Sequence, residues 1–406
     1  MKKSSIDFGA IVATNTLSRF ANLMLFLALP ILTLSLTGSP IWAGIVAFVN
    51  GGASVLGSLF GGVIVDRTGA KQIALLADGV SLISVLGLAA VLYWELSMTM
   101  FVLMVFFGAV LDGAGASARY ALFPQIARKT PFSLEQATSI ASSVDGLAEI
   151  IAPLTGGILI GLVGGVPTLL VVAGVFLVTF LGLLMVPNIP SQHSHESHLM
   201  EDFMAGFQYI WQDDLLRPLT LFSTYVLFLL MPFWVVLLPV YFGGAEGAEA
   251  FGLFNSVYGG FALIGAVVYG VVAHRLKKFD TINWINWVSI PILMIPIVVT
   301  SDSWLVWVFA VLLGLSVGPI MPILNSVYFY KTSDAYLGRV NGTSDAIASA
   351  AGPFGGLLFG LLIEFGSFEL AYWLFVIGNM IIAGWYLLVP GLRLMNIDSY
   401  SDYESA

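Results

Sequence analysis

The chain is divided into apolar runs long enough to cross a membrane, and that pattern constrains the fold more than any other feature. A membrane-crossing helix needs about 20 mainly apolar residues. Twelve stretches meet that length: 12–36, 41–65, 72–94, 97–121, 137–162, 165–187, 215–242, 250–273, 281–300, 304–328, 339–363 and 368–390. Turn signals such as Thr37-Gly38-Ser39-Pro40, Gly164-Gly165-Val166-Pro167 and Gly243-Gly244 separate them. Hydrocarbon offers no partner for backbone N–H and C=O groups, so runs of this length are expected as helices. Only 10% of residues are charged, against about 25% in a soluble domain, too few to cover a soluble surface. The chain has no cysteine, which excludes disulfides, thiolate nucleophiles and Cys-ligated metal sites. The first run exceeds the ~7–15 residues of a signal-peptide core, and no clear small-residue cleavage site follows, so it reads as a retained span.

One long polar gap, Asn188–Asp214, interrupts the series between spans six and seven. It divides the chain into an N-terminal six-helix half (1–187), a cytoplasmic linker (188–214), a C-terminal six-helix half (215–392) and a cytoplasmic tail (393–406). The linker's His193, His195 and His198 lack an accompanying Cys or acid cage and read as solvated rather than as a metal site. Met200–Trp211 is mildly amphipathic and is expected on the membrane surface. If the spans alternate, Lys2, Lys3, Arg67, Lys71, Arg128, Lys129, Arg217, Arg275, Lys277, Lys278, Lys331, Arg339 and Arg393 fall on one side. Loops on the other side carry Glu95, Glu246, Glu249, Asp302, Glu364 and Glu369 and no Lys or Arg. The excess of basic residues places both termini in the cytoplasm of a multi-pass protein of the cytoplasmic (inner) membrane.

An internal repeat supports the division. Asp145 and Asp345, Pro153 and Pro353, and Gly156 and Gly356 share one offset, and Gly62-x-x-x-Asp66-Arg67 is echoed by Gly270-x-x-x-His274-Arg275. The expected fold is an all-α membrane protein of twelve transmembrane helices in two six-helix pseudo-repeat halves, an architecture that places cargo sites near the midplane.

Seven ionisable residues lie within the apolar runs: Arg19, Asp78, Asp112, Arg119, Asp145, Glu149 and Asp345. Each costs at least about 2.5–3.5 kcal/mol at the bilayer centre, so pairing or function is expected of them. Asp145 and Glu149 are four residues apart on one helix face, and Asp112 and Arg119 share a face of span four. Glu149, Asp112 and Asp145 are the candidates for proton coupling. Arg19 and Arg119 are candidates for internal counter-ions or cargo contacts, Arg119 being equally open to a bracing role near its helix end. Asp78 and Asp345 lie near helix ends, where pairing with loop arginines is expected. Asn22, Asn255, Asn325, Tyr225, Phe228 and Tyr328 are the remaining cargo-binding candidates. The tryptophans read as interfacial belts and packing.

The turn Gly62-x-x-x-Asp66-Arg67-x-Gly69-x-Lys71 resembles the loop 2–3 signature of the major facilitator superfamily, with Ala70 in place of a basic residue often found there. Four further segments resemble its drug-efflux branch, which includes macrolide and enterobactin-type siderophore exporters: Ser18-Arg19-Phe20 with Leu36-Thr37-Gly38-Ser39, Ala118 to Pro124, Phe203-Met204-Ala205-Gly206-Phe207, and Tyr336 to Gly342. The chain departs from that branch at Ala148-x-x-x-Ala152-Pro153, where the antiporter motif has Gly-x-x-x-Gly-Pro. It departs also at Gly108, the place of a span-four arginine, and at Asn22, where relatives often carry an acid. The resemblance implies that Asp66 meets the N-terminus of span eleven at Gly338-Arg339-Val340 when the cytoplasmic side is closed, with Gly62, Asp66, Arg67, Gly69, Lys71 and Arg339 as the gating set. The expected function is a secondary active transporter exporting an amphipathic small organic compound, multidrug or macrolide-like, by proton antiport with alternating access. A dedicated siderophore or metabolite exporter, a lysolipid transporter and a non-transporting membrane sensor are the rivals. No Ser/His/Asp set or His-rich intramembrane cluster suggests an enzyme. Neither catalytic residues nor a cofactor or metal is expected. The expected partners are the small-molecule cargo, protons and membrane lipids, with no nucleic acid, and the chain is expected as a monomer.

Overall fold

The computed structural model describes residues 2–130, 132–187, 199–333 and 336–396, and side chains at 2–6, 62–63, 66–67, 134–135, 199–200 and 202 lie outside that description. Among the described residues the secondary structure is helical, with no strand. The N-terminal helices are α1 (Lys2–Thr37), α2 (Pro40–Thr68), α3 (Ala70–Tyr93), α4 (Met98–Ala127), α5 (Leu134–Val163) and α6 (Gly165–Met185). A linker helix, α7 (Leu199–Gln212), precedes α8 (Leu216–Pro232), which runs through a π-turn at Phe233–Leu237 into α9 (Leu238–Tyr241). Then follow α10 (Ala248–Val272), α11 (Lys278–Leu293), α12 (Ile295–Val298), α13 (Leu305–Val317), α14 (Ile320–Lys331), α15 (Leu337–Phe365) and α16 (Phe368–Leu388). Among the described residues, twelve helical stretches in this order are long and apolar enough to cross a membrane, the first Asp7–Thr37 and the last Phe368–Leu388. The protein is an integral membrane protein. Its exposed side chains agree: Ile83, Phe107, Met185, Val267 and Leu388 stand outward, an apolar surface that is stable only against lipid.

Local chemistry explains where the helices start and stop. Gly69 takes φ +100° between α2 and α3, a conformation that side-chain-bearing residues rarely adopt, and so lets two long helices turn back within a single residue. At the start of α5, Ser133 Oγ accepts from Gln136 N at 3.1 Å while Gln136 Oε1 accepts from Ser133 N at 3.1 Å, a reciprocal cap. Lys71 Nζ donates to the carbonyls of Leu184, at 3.1 Å, and of Val186, covering the last acceptors of α6. Within the spans, hydroxyls bond their own helix: Thr33 Oγ1 donates to Leu29 O at 2.7 Å. Lipid offers them no other partner.

The chain divides into two compact units, Met1–Ser197 with Gly243–Leu253, and His198–Phe242 with Phe254–Ala406. In the first, α2 packs on α4, α3 on α4 and α6, and α1 on α5 and α6. Phe8, Ile11, Ile73, Leu122 and Leu183 form part of its buried core. In the second, α15 packs on α8 and α7, and α11 on α16, around a core that includes Leu216, Phe222, Ile282, Val340 and Tyr386. The amphipathic segment expected on the membrane surface is therefore a helix docked on α15. An added Cβ at Gly206 would lie 2.6 Å from Arg339 O, Thr343 Oγ1 donates to Phe203 O at 3.4 Å, and Tyr209 stacks on Tyr336 with ring centroids 5.0 Å apart.

Candidate functional site

One short stretch of α1 holds the intramembrane acids of the first unit. Thr16 Oγ1 donates to Asp145 Oδ1 at 2.7 Å, Ser18 Oγ to Asp78 Oδ1 at 3.1 Å, and Asn22 Nδ2 to Asp112 Oδ1 at 2.7 Å. Arg19 Nη2 forms an ion pair with Glu149 Oε1. Four donors within two turns thus meet four carboxylates carried by α3, α4 and α5. The acid partners are separated from α1 in sequence by 60 to 130 residues. Asn15, Ser18, Arg19 and Asn22 follow the i, i+3, i+4, i+7 spacing of a single helix face.

The four contacts differ in environment. The side chains of Arg19 and Glu149 are 49% and 51% exposed. Asp78 is 1% exposed and Arg119 9%, and the two form a buried ion pair. Asp78 Oδ2 and Arg119 Nε are buried without a hydrogen-bond partner, so this pair is held by one bridge and by Ser18. Gly115 makes room for the guanidinium between α4 and α3. A Cβ there would sit 2.5 Å from Ala77 Cβ and 3.2 Å from Arg119 Nη1. Asp112 lies two turns before Arg119 on the same face of α4.

Several of these groups, though neither Asp78 nor Glu149, line a cavity of about 750 Å³ within the first unit, with walls from α1 to α5. Arg19, Asn22, Asp112, Arg119 and Asp145 line it beside Phe26, Leu29, Val85, Leu88 and Phe123. The volume lies in the range of small-molecule sites, and the lining combines apolar walls with a few converging polar groups, as such sites do.

Several sequence expectations fall elsewhere. Asp78 and Arg119 pair with each other, not with loop arginines or a loop, because the α3–α4 approach at Gly115 and Ala77 brings them together in the membrane interior. Asp345 stands exposed on α15. The second unit's candidates are largely engaged in packing. Tyr328 OH lies 2.6 Å from Ser344 Oγ and 3.1 Å from Thr220 Oγ1 and is buried. Tyr225 OH donates to Gly378 O at 3.3 Å, and Phe228 O lies where a Cβ on Gly355 would meet it at 1.9 Å. Asn255 is half-buried and Asn325 exposed. Of the gating set, the side chains of Gly62, Asp66 and Arg67 lie outside the described residues, Lys71 caps α6, and the Arg339 guanidinium lies 5.7 Å from the Tyr336 ring centre. His193, His195 and His198 also lie outside the described residues. Among those described, no group of three or more His, Cys, Asp or Glu is arranged to hold a metal. Thr16 and Ser18 escape the sequence reading as site residues. The polar stripe on α1 was the available signal for Ser18; Thr16 lies off that spacing.

Twelve membrane-crossing helices, with a charge-lined cavity of small-molecule size inside one unit, define a membrane transporter. The chain belongs to the Major Facilitator Superfamily, whose family model matches residues 11–343. It is 26% identical over 380 residues to the multidrug efflux pump Tap of Mycolicibacterium fortuitum, covering 92% of this chain and 93% of that protein. It is also 26% identical over 394 residues to the enterobactin exporter EntS of Citrobacter koseri, covering 93% and 89%. The fold is similar to that of the nucleoside transporter NupG, with a TM-score of 0.79 at 13% identity over 94% of this chain and 98% of NupG.

Proposed function

We propose that the protein exports an amphipathic organic compound across the cytoplasmic membrane in exchange for protons, by alternating access of two six-helix halves. The halves are residues 1–187 and 215–392, joined by the cytoplasmic linker 188–214, with both termini in the cytoplasm. The recurrence of Pro153 inside α5 and Pro353 inside α15 supports this division. The observation that carries the reading is the set of α1 donors on Asp112 and Asp145, which line the cavity, and on Glu149, whose partner Arg19 lines it. A carboxylate that takes up a proton no longer attracts its donor as an ion does. Proton loading at Glu149 therefore loosens Arg19 and with it the α1–α5 contact, and cargo competing for the same groups favours proton release. Likeness to the multidrug pump Tap supports efflux of varied amphipathic compounds. Likeness to EntS supports a second reading, export of a siderophore or similar metabolite. Asp66 and Arg339 are assigned to gating in both readings.

The test is flux in proteoliposomes with an imposed pH gradient, using a radiolabelled drug panel and catecholate siderophores. The wild type is expected to accumulate cargo only when the vesicle interior is the more acidic side, so that protons leave as cargo enters, and Glu149→Gln to lose that response. Gradient-driven accumulation by Glu149→Gln at the wild-type rate removes this residue from the proton path. A wild type with no flux for any compound points to a sensor instead.

A further inference from the structure

The turn between spans two and three recurs between spans eight and nine, but its cations are used differently. In the first unit Lys71 is spent on the terminal carbonyls of α6. In the second unit other groups hold the start of α11: Tyr386 OH donates to Phe279 O at 3.3 Å, and Asn396 Oδ1 accepts from Phe279 N at 3.0 Å. Arg275 and Lys277 are exposed, and Arg275 Nε donates to His274 Nε2 at 3.1 Å. Arg393, also exposed, comes from the 3-10 turn Pro390–Asn396 and lies 5.9 Å from the Phe279 ring centre. Lys278 Nζ lies 5.3 Å from the ring centre of Tyr330. Asp280 is the one acid in the first turn of α11, and Asp214, at the start of α8, lies 3.6 Å from Arg217. Four cations thus outnumber the acid of this corner. Further along α11, Trp284 is 69% exposed, and Trp287 and Val288 also stand outward. Trp284 follows Lys277 by seven residues and so shares its face, about 10 Å along the axis. Tryptophan at that depth marks the boundary between headgroups and acyl chains.

We infer that this corner of the second unit is a binding site for an anionic phospholipid, with Arg275, Lys277, Lys278 and Arg393 around the headgroup phosphate and Trp284 and Val288 against the acyl chains. Guanidinium and ammonium groups donate charge-assisted hydrogen bonds to phosphate oxygens, and basic corners between membrane helices hold anionic headgroups in this way. The occupant is a lipid because the cations and the exposed aromatic stripe are continuous along one outward face of α11. A soluble anion would engage the cations and leave that stripe without a partner. The site is separate from the cavity, whose walls come from α1 to α5, and it does not depend on what the protein transports.

Phospholipids with brominated acyl chains quench tryptophan on contact, which makes Trp284 a reporter of the site. Purified protein is reconstituted in phosphatidylcholine with a rising fraction of brominated phosphatidylglycerol, and in a parallel series with brominated phosphatidylcholine. The quenching that belongs to Trp284 is the difference between each protein and its Trp284→Phe counterpart. Half-maximal quenching is expected at a fraction of phosphatidylglycerol at least about fivefold lower than of phosphatidylcholine, the scale that a surface Lys or Arg provides toward anionic lipid. Arg275→Gln/Lys277→Gln/Arg393→Gln is expected to erase that difference. Its Trp284 must still be quenched by brominated phosphatidylcholine, which checks that α11 keeps its place. Arg128→Gln/Lys129→Gln, at an exposed basic pair that follows α4, is expected to keep the difference. Equal quenching by the two lipids in the wild type overturns the inference, as does a preference that survives the triple variant. A preference lost equally with Arg128 and Lys129 overturns it too, because it then reports general attraction to a charged surface. Displacement of the brominated phosphatidylglycerol by inorganic phosphate at matched ionic strength also overturns it, since the occupant is then a soluble anion.

Discussion

At the residue scale, the site is a distribution of hydrogen bonds from α1 to acids on three other helices, and the consequences of losing each contact differ with burial. Arg119→Gln alone strands the Asp78 carboxylate, which is 1% exposed. Breaking a buried pair from one side costs about 3–5 kcal/mol. Thermal unfolding in detergent is expected to show a severely destabilised protein, with stability largely restored when Asp78→Asn is added. Glu149→Gln is the contrasting case. Its contact with Arg19 is half-exposed, so neutralising it strands no charge in the packed core. Its unfolding temperature should remain near wild type while pH-gradient-driven flux falls by at least about tenfold, within the usual contribution of a proton-transferring group. The presence of charges inside the spans is legible from the sequence, because so few polar residues interrupt the apolar runs. Their pairing is not. Thr16 and Asp145 are separated by 129 positions, and their meeting depends on how α1 and α5 are rotated about their axes. Tyr328 shows the same dependence: its type suits a cavity wall, and the rotation of its helix sets its hydroxyl against Ser344 and Thr220.

At the scale of elements, helix ends and close approaches decide how the spans are held. Lys71 covers the terminal carbonyls of α6, and a cation at a helix C-terminus contributes about 0.3–1 kcal/mol. Lys71→Ala should lower the unfolding temperature slightly and raise hydrogen exchange in the last turn of α6. A larger exchange effect belongs to α7. Gly206 is the point where this helix meets the backbone of α15, so Gly206→Leu forces the two apart. Exchange is expected to rise throughout α7 and in the first turns of α15, with flux reduced and the core of the first unit unchanged. Spans are legible to within a few residues because length and hydropathy suffice. The docking of α7 is not, since an amphipathic helix suits a lipid surface or a protein groove equally, and only the notch at Gly206 distinguishes them.

At the scale of the whole molecule, the central claim is that proton movement and cargo movement are opposed and share the acids that α1 holds. The repeat suggests two equivalent halves, yet six of the seven intramembrane charges lie in the N-terminal half, so coupling is expected to be one-sided. The most direct measurement is proton flow itself. Proteoliposomes are loaded with a pH-sensitive dye, a compound that the flux panel identifies as cargo is added on one side, and internal pH is followed with the membrane potential clamped. The account predicts that cargo entry drives protons out through the wild-type protein, and that this flow vanishes in the Asp112→Asn/Asp145→Asn/Glu149→Gln variant. Cargo entry through the wild-type protein with no accompanying proton flow, or proton flow undiminished in the triple variant, would contradict it.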